Sequence, residues 1–576
     1  MLHKILEQRL RQALLAVLPD AGAEAVLVRP CPDPKFGDYQ SNALMGLAKA
    51  RKMNPRQLAA EVAGRLDLAP WCEPVEAAGA GFLNFRLKPA AIARTVREAA
   101  EGRHLFFEKT ARPRSIIIDF SSPNVAKPMH VGHIRSTILG DSLARILRLL
   151  GHQVVTDNHI GDWGTQFGKL LAGWKSHLEA ERLQADPIAE MERLYKLVNA
   201  QCEREPEALE NARQELVKLQ AGDEENLRIW QEMIALSETQ FERVYARLGV
   251  KFDYCLGESY YNAMLQKVVE DLAQRGLAQP SEGAMVVYFE DIPELKDHPA
   301  MVRKSDGGFN YTTTDLATLL FRWDGGTWGV RPDEIIYVTD ARQQLHFKQL
   351  FAVFRRWHPE AKVKLAHVWF GSILGEDGKP FKTRAGETVR LEELLDEAQE
   401  RAFKVVSEKN PDLEAARRRE IGRVVGLGAI KYADLSQNRQ SDYVFSWDKM
   451  LSLQGNTAPY LLYAYTRVRG IFRKAGGELA PGGAEFVLEA PEELTLGRHL
   501  LNFGLALESA AEDYRPNYLC GYLYELAGHF ARFYENCPVL KAEGAARVTR
   551  LGLCDVTARV LKEGLQALGI ETTEQM

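Results

Sequence analysis

Seven cysteines are scattered through 576 residues (Cys31, Cys72, Cys202, Cys255, Cys520, Cys537 and Cys554), and no two of them form a CxxC pair. That spacing excludes a zinc knuckle, offers no disulfide framework, and suits a reducing cytosol, so a cytoplasmic protein is expected. Also missing is any uninterrupted apolar run long enough to cross a bilayer, so no membrane partner is expected. The opening stretch MLHKILEQRL spreads charges through an amphipathic helical pattern, unlike a secretory signal. Nor is there an excess of positive charge. A net charge of −5 gives no global pull on nucleic acid, so any RNA contact has to come from local basic patches. What remains is the balance of an ordinary globular protein, 46% hydrophobic and 26% charged. Its length calls for about three to four folding units rather than one core.

The chemistry concentrates between Ser115 and Leu150. Ser115 to Phe120 (SIIIDF) is a short apolar strand, SSPNVAKPMHVGH is a polar loop, and IRSTILGDSLARILRLL has helical spacing, with Leu139, Leu143, Ile146, Leu147 and Leu150 on one face. Gly151 stands where a helix ends, and QVVT starts the next strand. Such a strand–loop–helix–strand unit winds right-handed into a parallel sheet, so a Rossmann-like α/β core is expected. A helix N-terminus offers unpaired N–H groups and partial positive charge to phosphate. His130 and His133, three apart on the first turn, would both donate to phosphoryl oxygens, Gly132 would let a base or ribose approach the backbone, and Lys127 would add a mobile ammonium. A bare HxxH is more often a pair of surface histidines, and a metal pair would need a third ligand that the spacing does not supply. Strand, Pro-containing loop, HxGH and helix together favour nucleotide phosphate.

DFSSPNVAKPMHVGHIRSTILGD resembles the signature of class I aminoacyl-tRNA synthetases and, through SSPN and AKP, that of the bacterial-type arginyl enzymes. The similarity continues through NHIGDWGTQFGKL, NYTTTDLA and YVTDARQQLHFKQ, and more weakly over essentially the whole chain. The resemblance implies ATP (as its Mg2+ complex), L-arginine and tRNA(Arg) as substrates, no tightly held protein-ligated metal, and a catalytic role for His130, His133 and Lys127. A monomer is expected. The expected units are an N-terminal α/β domain that contacts tRNA (1–110), a catalytic domain (111–400) with a helical insertion at about 171–245, and an α-helical anticodon-binding domain (401–576).

Along the chain, the first unit reads as helices over Leu2 to Val17 and PRQLAAEVAGRL with a strand in GFLNFRL. KFGDYQSN is a Gly-Asp turn and helix cap on physics alone. Resemblance makes Phe36, Asp38, Tyr39 and Asn42 candidate tRNA contacts. DNHIGDWGTQFG falls at the carboxyl end of the second strand, where such sheets bind ligands, and His159 and Gln166 are the residues singled out there. AMVVYF, EIIYVTD and KLAHVWFGS read as buried strands alternating with helices.

In GFNYTTTDLATLLFR an acid lies in an apolar stretch. Asp315 either caps a helix or awaits a cation, and an arginine side chain supplies a planar guanidinium for paired hydrogen bonds. The resemblance places Tyr311, Asp315, Gln343, Asp119 and Asn124 around the amino acid. The second phosphate loop usual in class I, KMSKS, is absent. PFKTRAG stands in its place, so Lys382 and Arg384, or Lys127 across the site, are the candidates for ATP. Beyond about Glu400 the pattern is helical, with Tyr460, Tyr463 and Tyr465 beside Arg467, Arg469, Arg473 and Lys474. Aromatics among basic residues suit unpaired RNA bases, which makes Tyr460 and Arg467 candidate anticodon contacts, although half of these tyrosines are expected in the core. The tail LGIETTEQM is expected to fold back onto this bundle. Two rivals remain: a non-catalytic RNA-binding paralogue, and another class I synthetase, of which the cysteinyl type would want a zinc-ligating cysteine cluster.

Overall fold

Ile116, Ile117 and Ile118 set the centre of the molecule. All three are fully buried, so the strand Ser115–Asp119 needs cover on both faces, as inner strands of parallel sheets do. In this computed structural model, which describes residues 1–22, 26–381, 389–476 and 485–576, that strand lies inside a four-stranded parallel sheet. The order across the sheet is Lys364–His367, Glu334–Tyr337, Ser115–Asp119, Gln153–Asp157. Asp119 is in register with Tyr337 on one side and Asp157 on the other, so three carboxyl ends share one edge. Ligands in open α/β sheets bind outside that edge.

Helix Val131–Leu149 crosses from strand Ser115–Asp119 to its neighbour Gln153–Asp157, burying Leu139, Leu143, Ile146 and Leu147. Gly140 lets it lie close against the strand: a Cβ there would fall 2.2 Å from the Phe120 ring. Gly151 follows with a left-handed backbone, the geometry glycine adopts without strain. Helices from Gln166–His177 through Glu224–Leu248 form the insertion. Asp223 caps the last of them and Gly249 ends it at φ +62.

One expected strand belongs elsewhere. Ala284–Val287, from AMVVYF, is the middle strand of a separate antiparallel sheet with Gln279–Ser281 and Ala300–Arg303. A short apolar run has the same pattern in either kind of sheet, which is why the sequence misplaces it.

At the N-terminus, helix Leu2–Val17 packs on helix Pro55–Ala63, beside an antiparallel sheet ordered Arg29–Pro30, Tyr39–Ser41, Phe82–Phe85, Glu76–Ala78. From Leu391 onward the described regular elements are helices apart from the strand Tyr443–Val444, which pairs with Ile373–Leu374. This helical part reaches the signature helix through Arg135, almost wholly buried. Arg135 pairs with Asp434 at 2.9 Å and donates to the Gly371 carbonyl at 2.7 Å. No described helix is long and apolar enough to cross a membrane.

Candidate active site

The loop from strand to signature helix is held in an unfavourable backbone. Ser121, Ser122 and Ala126 all have positive φ (75, 47 and 61), a region that costs a non-glycine residue about 1 kcal/mol or more. Hydrogen bonds hold it there. The Ser121 N–H donates to Ser136 Oγ at 2.8 Å, the Ser122 N–H to Asn158 Oδ1 at 3.0 Å, and the Ala126 N–H to Ser237 Oγ at 3.0 Å. Asn124, exposed, stands next to Gly161, whose N–H donates to the Pro123 carbonyl.

His130 is the N-cap of the signature helix. Its Nδ1 accepts from the Gly132 N–H at 3.0 Å, and His133 Nδ1 accepts from the His130 N–H at 3.1 Å. A ring nitrogen that accepts carries no proton, so each neutral imidazole keeps its proton on Nε2 and can donate from there. Both rings stay neutral. Burial and then the neighbouring His130 lower His133 to about 3, while burial, the Arg342 charge and the Lys127 charge lower His130.

The helix end differs from expectation. The Val131 N–H donates to the Val389 carbonyl at 3.0 Å, and the His133 N–H to the His130 carbonyl at 2.9 Å. With the Gly132 N–H on the His130 ring, these first-turn donors are taken, so phosphate would meet imidazole N–H groups and cations rather than the bare backbone. Gly132 also serves differently: a Cβ there would fall 2.8 Å from the His130 ring, so the missing side chain first makes room for the cap itself. Lys127 is exposed, with its ammonium 5.5 Å over the Tyr195 ring of the insertion. Lys382 and Arg384 lie outside the described residues, but the segment just after them is fixed, with the Leu391 N–H donating to the Met129 carbonyl at 2.9 Å.

The second half of the site lies beyond the same sheet edge. Helix Tyr311–Trp323 starts with Asn310 as its cap, so Asp315 is inside the helix and free of that duty. Its carboxylate accepts from His346 Nε2 at 2.5 Å and faces His159 Nε2 at 3.9 Å. Tyr311, 64% exposed, packs edge-on against the His346 ring at 4.9 Å. Glu258 belongs to this group too. Burial first, with the Asp315 and Asp162 charges, raises its carboxyl to about 7 against the pull of His159. Buried polar atoms with no hydrogen-bond partner among the described residues also gather here: His159 Nε2, Tyr261 OH and His346 Nδ1. Each costs about 1–3 kcal/mol if left unmet, which favours a polar ligand.

Asp119 is less free than the sequence suggested. Its Oδ2 accepts from Arg322 at 2.7 Å and its Oδ1 from Ser122 Oγ at 3.0 Å, while Arg322 also pairs with Asp157 at 2.7 Å. Gln343 is exposed on the turn Ala341–Gln343, and Gln166 Nε2 donates to the Trp163 carbonyl. His346, Glu258 and Arg322 were missed. His346 and Arg322 had a signal in their spacing: Asp315 and Arg322 are seven apart on one helical face, and His346 lies three beyond Gln343. Among the described residues no cluster of His, Cys, Asp and Glu is arranged to hold a metal ion.

The tRNA candidates separate into two groups. Phe36 is 57% exposed and Asn42 is exposed. Tyr39 is buried, with its hydroxyl donating to Asn502 Oδ1 at 2.8 Å, and Asp38 pairs with Arg498 at 3.0 Å and accepts from the Leu87 N–H. Both bonds tie the N-terminal domain to the C-terminal bundle, a structural duty of Tyr39 and Asp38 beside the tRNA contact that resemblance implied. In the bundle, Tyr465 is buried and bonded to Glu574, whereas Tyr463 is exposed, Tyr460 is half-buried against Tyr524, and the Arg467 guanidinium lies 4.7 Å over the Tyr534 ring. The tail folds back as expected, with Arg473 donating to the Glu574 carbonyl.

Three family models match the chain: the arginyl tRNA synthetase N-terminal domain over 3–87, the catalytic domain of class I (R) tRNA synthetases over 96–447, and the DALR anticodon-binding domain over 461–576. Curated relatives of full length include the arginine–tRNA ligase of Chromobacterium violaceum, 46% identical with all of both chains covered, and that of Laribacter hongkongensis, 44% identical with the same coverage. Among solved structures, Thermus thermophilus arginyl-tRNA synthetase superposes with a TM-score of 0.85 at 29% identity, covering all of both chains.

Proposed function

The chain belongs to the class I arginyl-tRNA synthetases and is an ATP-dependent arginine–tRNA ligase; we propose how its crevice divides the work. ATP, carrying Mg2+ on its phosphates, lies along the signature loop, with His130 and His133 donating from Nε2 to the α-phosphate and Lys127 neutralising the outer phosphates. The arginine guanidinium enters beside Asp315 and Glu258, with Tyr311 at the rim and His159, Gln343, Asn124 and Asp119 around the amino-acid backbone. The substrate carboxylate attacks the α-phosphorus, the bond to the bridging oxygen breaks, and pyrophosphate leaves. The carboxylate attacks already ionised, so activation needs no general base. The terminal ribose hydroxyl of tRNA(Arg), the 2′-hydroxyl as in class I, then takes the acyl group and AMP leaves. Catalysis is positioning plus charge stabilisation, with no side-chain nucleophile.

One observation carries this division: the neutral imidazole donors cap the helix that follows strand Ser115–Asp119, while Asp315 is held by His346 of the helix that follows the adjacent strand Glu334–Tyr337. Lysine and arginine are both cations, so selection rests on paired hydrogen bonds. A site built for a polar group rejects analogues by roughly 10⁴ to 10⁵ without editing. We also propose that the enzyme acts as a monomer in the cytoplasm and that tRNA must be bound before arginine is activated. Phe36, Asn42, Tyr460 and Arg467 are the proposed tRNA contacts. The rivals, a non-catalytic paralogue or a synthetase for another amino acid, find no support among the full-length relatives. ATP–pyrophosphate exchange with each amino acid, with and without tRNA, tests the reading. Exchange only with arginine plus tRNA is expected, and full-rate exchange without tRNA would refute the requirement.

A further inference from the structure

With the first-turn N–H groups of the signature helix taken, positive charge for the departing pyrophosphate has to come from side chains. Lys127 supplies one on the loop after the first strand. The neighbouring strand Glu334–Tyr337 runs parallel to it, and Ser136 Oγ of the signature helix donates to the Val338 carbonyl at 2.6 Å. The turn that follows, Ala341–Gln343, therefore forms the opposite lip of the same crevice. At its middle stands Arg342, whose side chain is 88% exposed.

Its guanidinium is already aimed. Nε donates to Asp340 Oδ1 at 2.8 Å and one terminal nitrogen to Oδ2 at 3.2 Å, while the other terminal nitrogen has no partner among the described residues. Asp340 is itself fixed, since it caps the turn through the Arg342 N–H at 2.8 Å while the Ala341 N–H donates to the Phe370 carbonyl at 3.0 Å. A tethered, planar fork loses less freedom on meeting phosphate than a loose lysine does.

We propose that Arg342 is a catalytic residue that binds the β- and γ-phosphates of ATP and stabilises the pyrophosphate as it departs, opposite Lys127. The assignment rests on the ligase reading above. It agrees with the field at the site, where the Arg342 charge acts on the His130 ring more strongly than the Lys127 charge does. As the bond between α-phosphorus and bridging oxygen breaks, its electron pair and negative charge pass to pyrophosphate, and the guanidinium donates into that charge with no proton transferred.

The test is ATP–pyrophosphate exchange with arginine and saturating tRNA, for the full-length protein and for Arg342→Ala, Arg342→Gln and Arg342→Lys. Arg342→Ala and Arg342→Gln should lower kcat by about 10²-fold and raise KM for pyrophosphate, with KM for arginine and the melting temperature unmoved. Arg342→Lys should recover much of the loss. An Arg342→Ala enzyme within a few-fold of the parent, or a loss confined to KM for arginine, would overturn the assignment while the parent's activity upholds the ligase reading. A parent without arginine-dependent exchange would overturn both.

Discussion

At the signature helix the polar groups are paired before any substrate arrives. Two imidazoles cap the backbone, a carbonyl from Val389 takes one N–H, and both rings are held neutral. The pocket behind Tyr311 is the opposite case. There Glu258 is pushed up to about 7, and the buried His159 Nε2, Tyr261 OH and His346 Nδ1 find no partner among the described residues, around an Asp315 faced by two imidazoles. The first region is a finished scaffold that offers donors to an anion. The second is unfinished and gains most from a cation. ATP should therefore bind with little change in protonation, whereas arginine should complete its own site.

The largest expected effect tests the unfinished side. Asp315→Asn should raise KM for arginine by about 10²- to 10³-fold and leave KM for ATP within a few-fold, measured by pyrophosphate exchange with tRNA present. Equal losses on both substrates would erase the contrast. On the finished side, Gly132→Ala drives a methyl to 2.8 Å from the His130 ring. It should lower kcat for adenylate formation by about tenfold or more without weakening arginine binding. A rise in arginine KM instead would mean that the two halves are not separable.

The pH profile sharpens the same contrast. Arginine wants Glu258 ionised, and its carboxyl, raised to about 7, takes up a proton as pH falls. Thus kcat/KM for arginine should decline below about pH 7, by up to about tenfold per unit, and Glu258→Gln should flatten the profile. Because His133 lies near 3 and His130 is also lowered, kcat/KM for ATP should show no break near the ordinary histidine value. A break there would show that the rings are not neutral. The smallest effect concerns the domain seam. Tyr39→Phe removes the bond to Asn502 and should reduce stability by about 1 kcal/mol while leaving KM for tRNA unchanged. A changed tRNA KM at unchanged melting temperature would return Tyr39 to the RNA surface.

The finished half was the legible half. His130, Gly132 and His133 lie within four consecutive residues between a β-branched run and a helical stripe, so local periodicity alone places them at a strand-to-helix turn. What the sequence hid was who satisfies the helix end: Val389 reaches it from more than two hundred residues away, and no local pattern reports such a contact. The pocket was legible only in part for the same reason. Asp315 stood out as an acid among apolar residues, but no local pattern marked Glu258, whose raised carboxyl comes first from burial. Arg322 drew no notice in the same segment, yet it is buried and joins two strand-terminal aspartates. The DYQ segment shows a further gap. Its residues read as a turn and helix cap, whereas Tyr39–Ser41 is a strand with the Tyr39 ring buried, held by a partner 463 residues away that no local pattern reports.

The seam at Tyr39 also bears on how the protein is made. Its partner Asn502 follows 463 positions later, so at roughly 5 to 20 residues per second the ribosome needs about half a minute to a minute and a half to supply it. During most of that interval the first domain is outside the ribosome with its Tyr39 hydroxyl waiting for Asn502 and its Asp38 carboxylate, held on one side by the Leu87 N–H, waiting for Arg498. Nascent chains halted before residue 502 would thus carry a folded but sticky leading domain, one that chaperones should hold longer than its own small core requires.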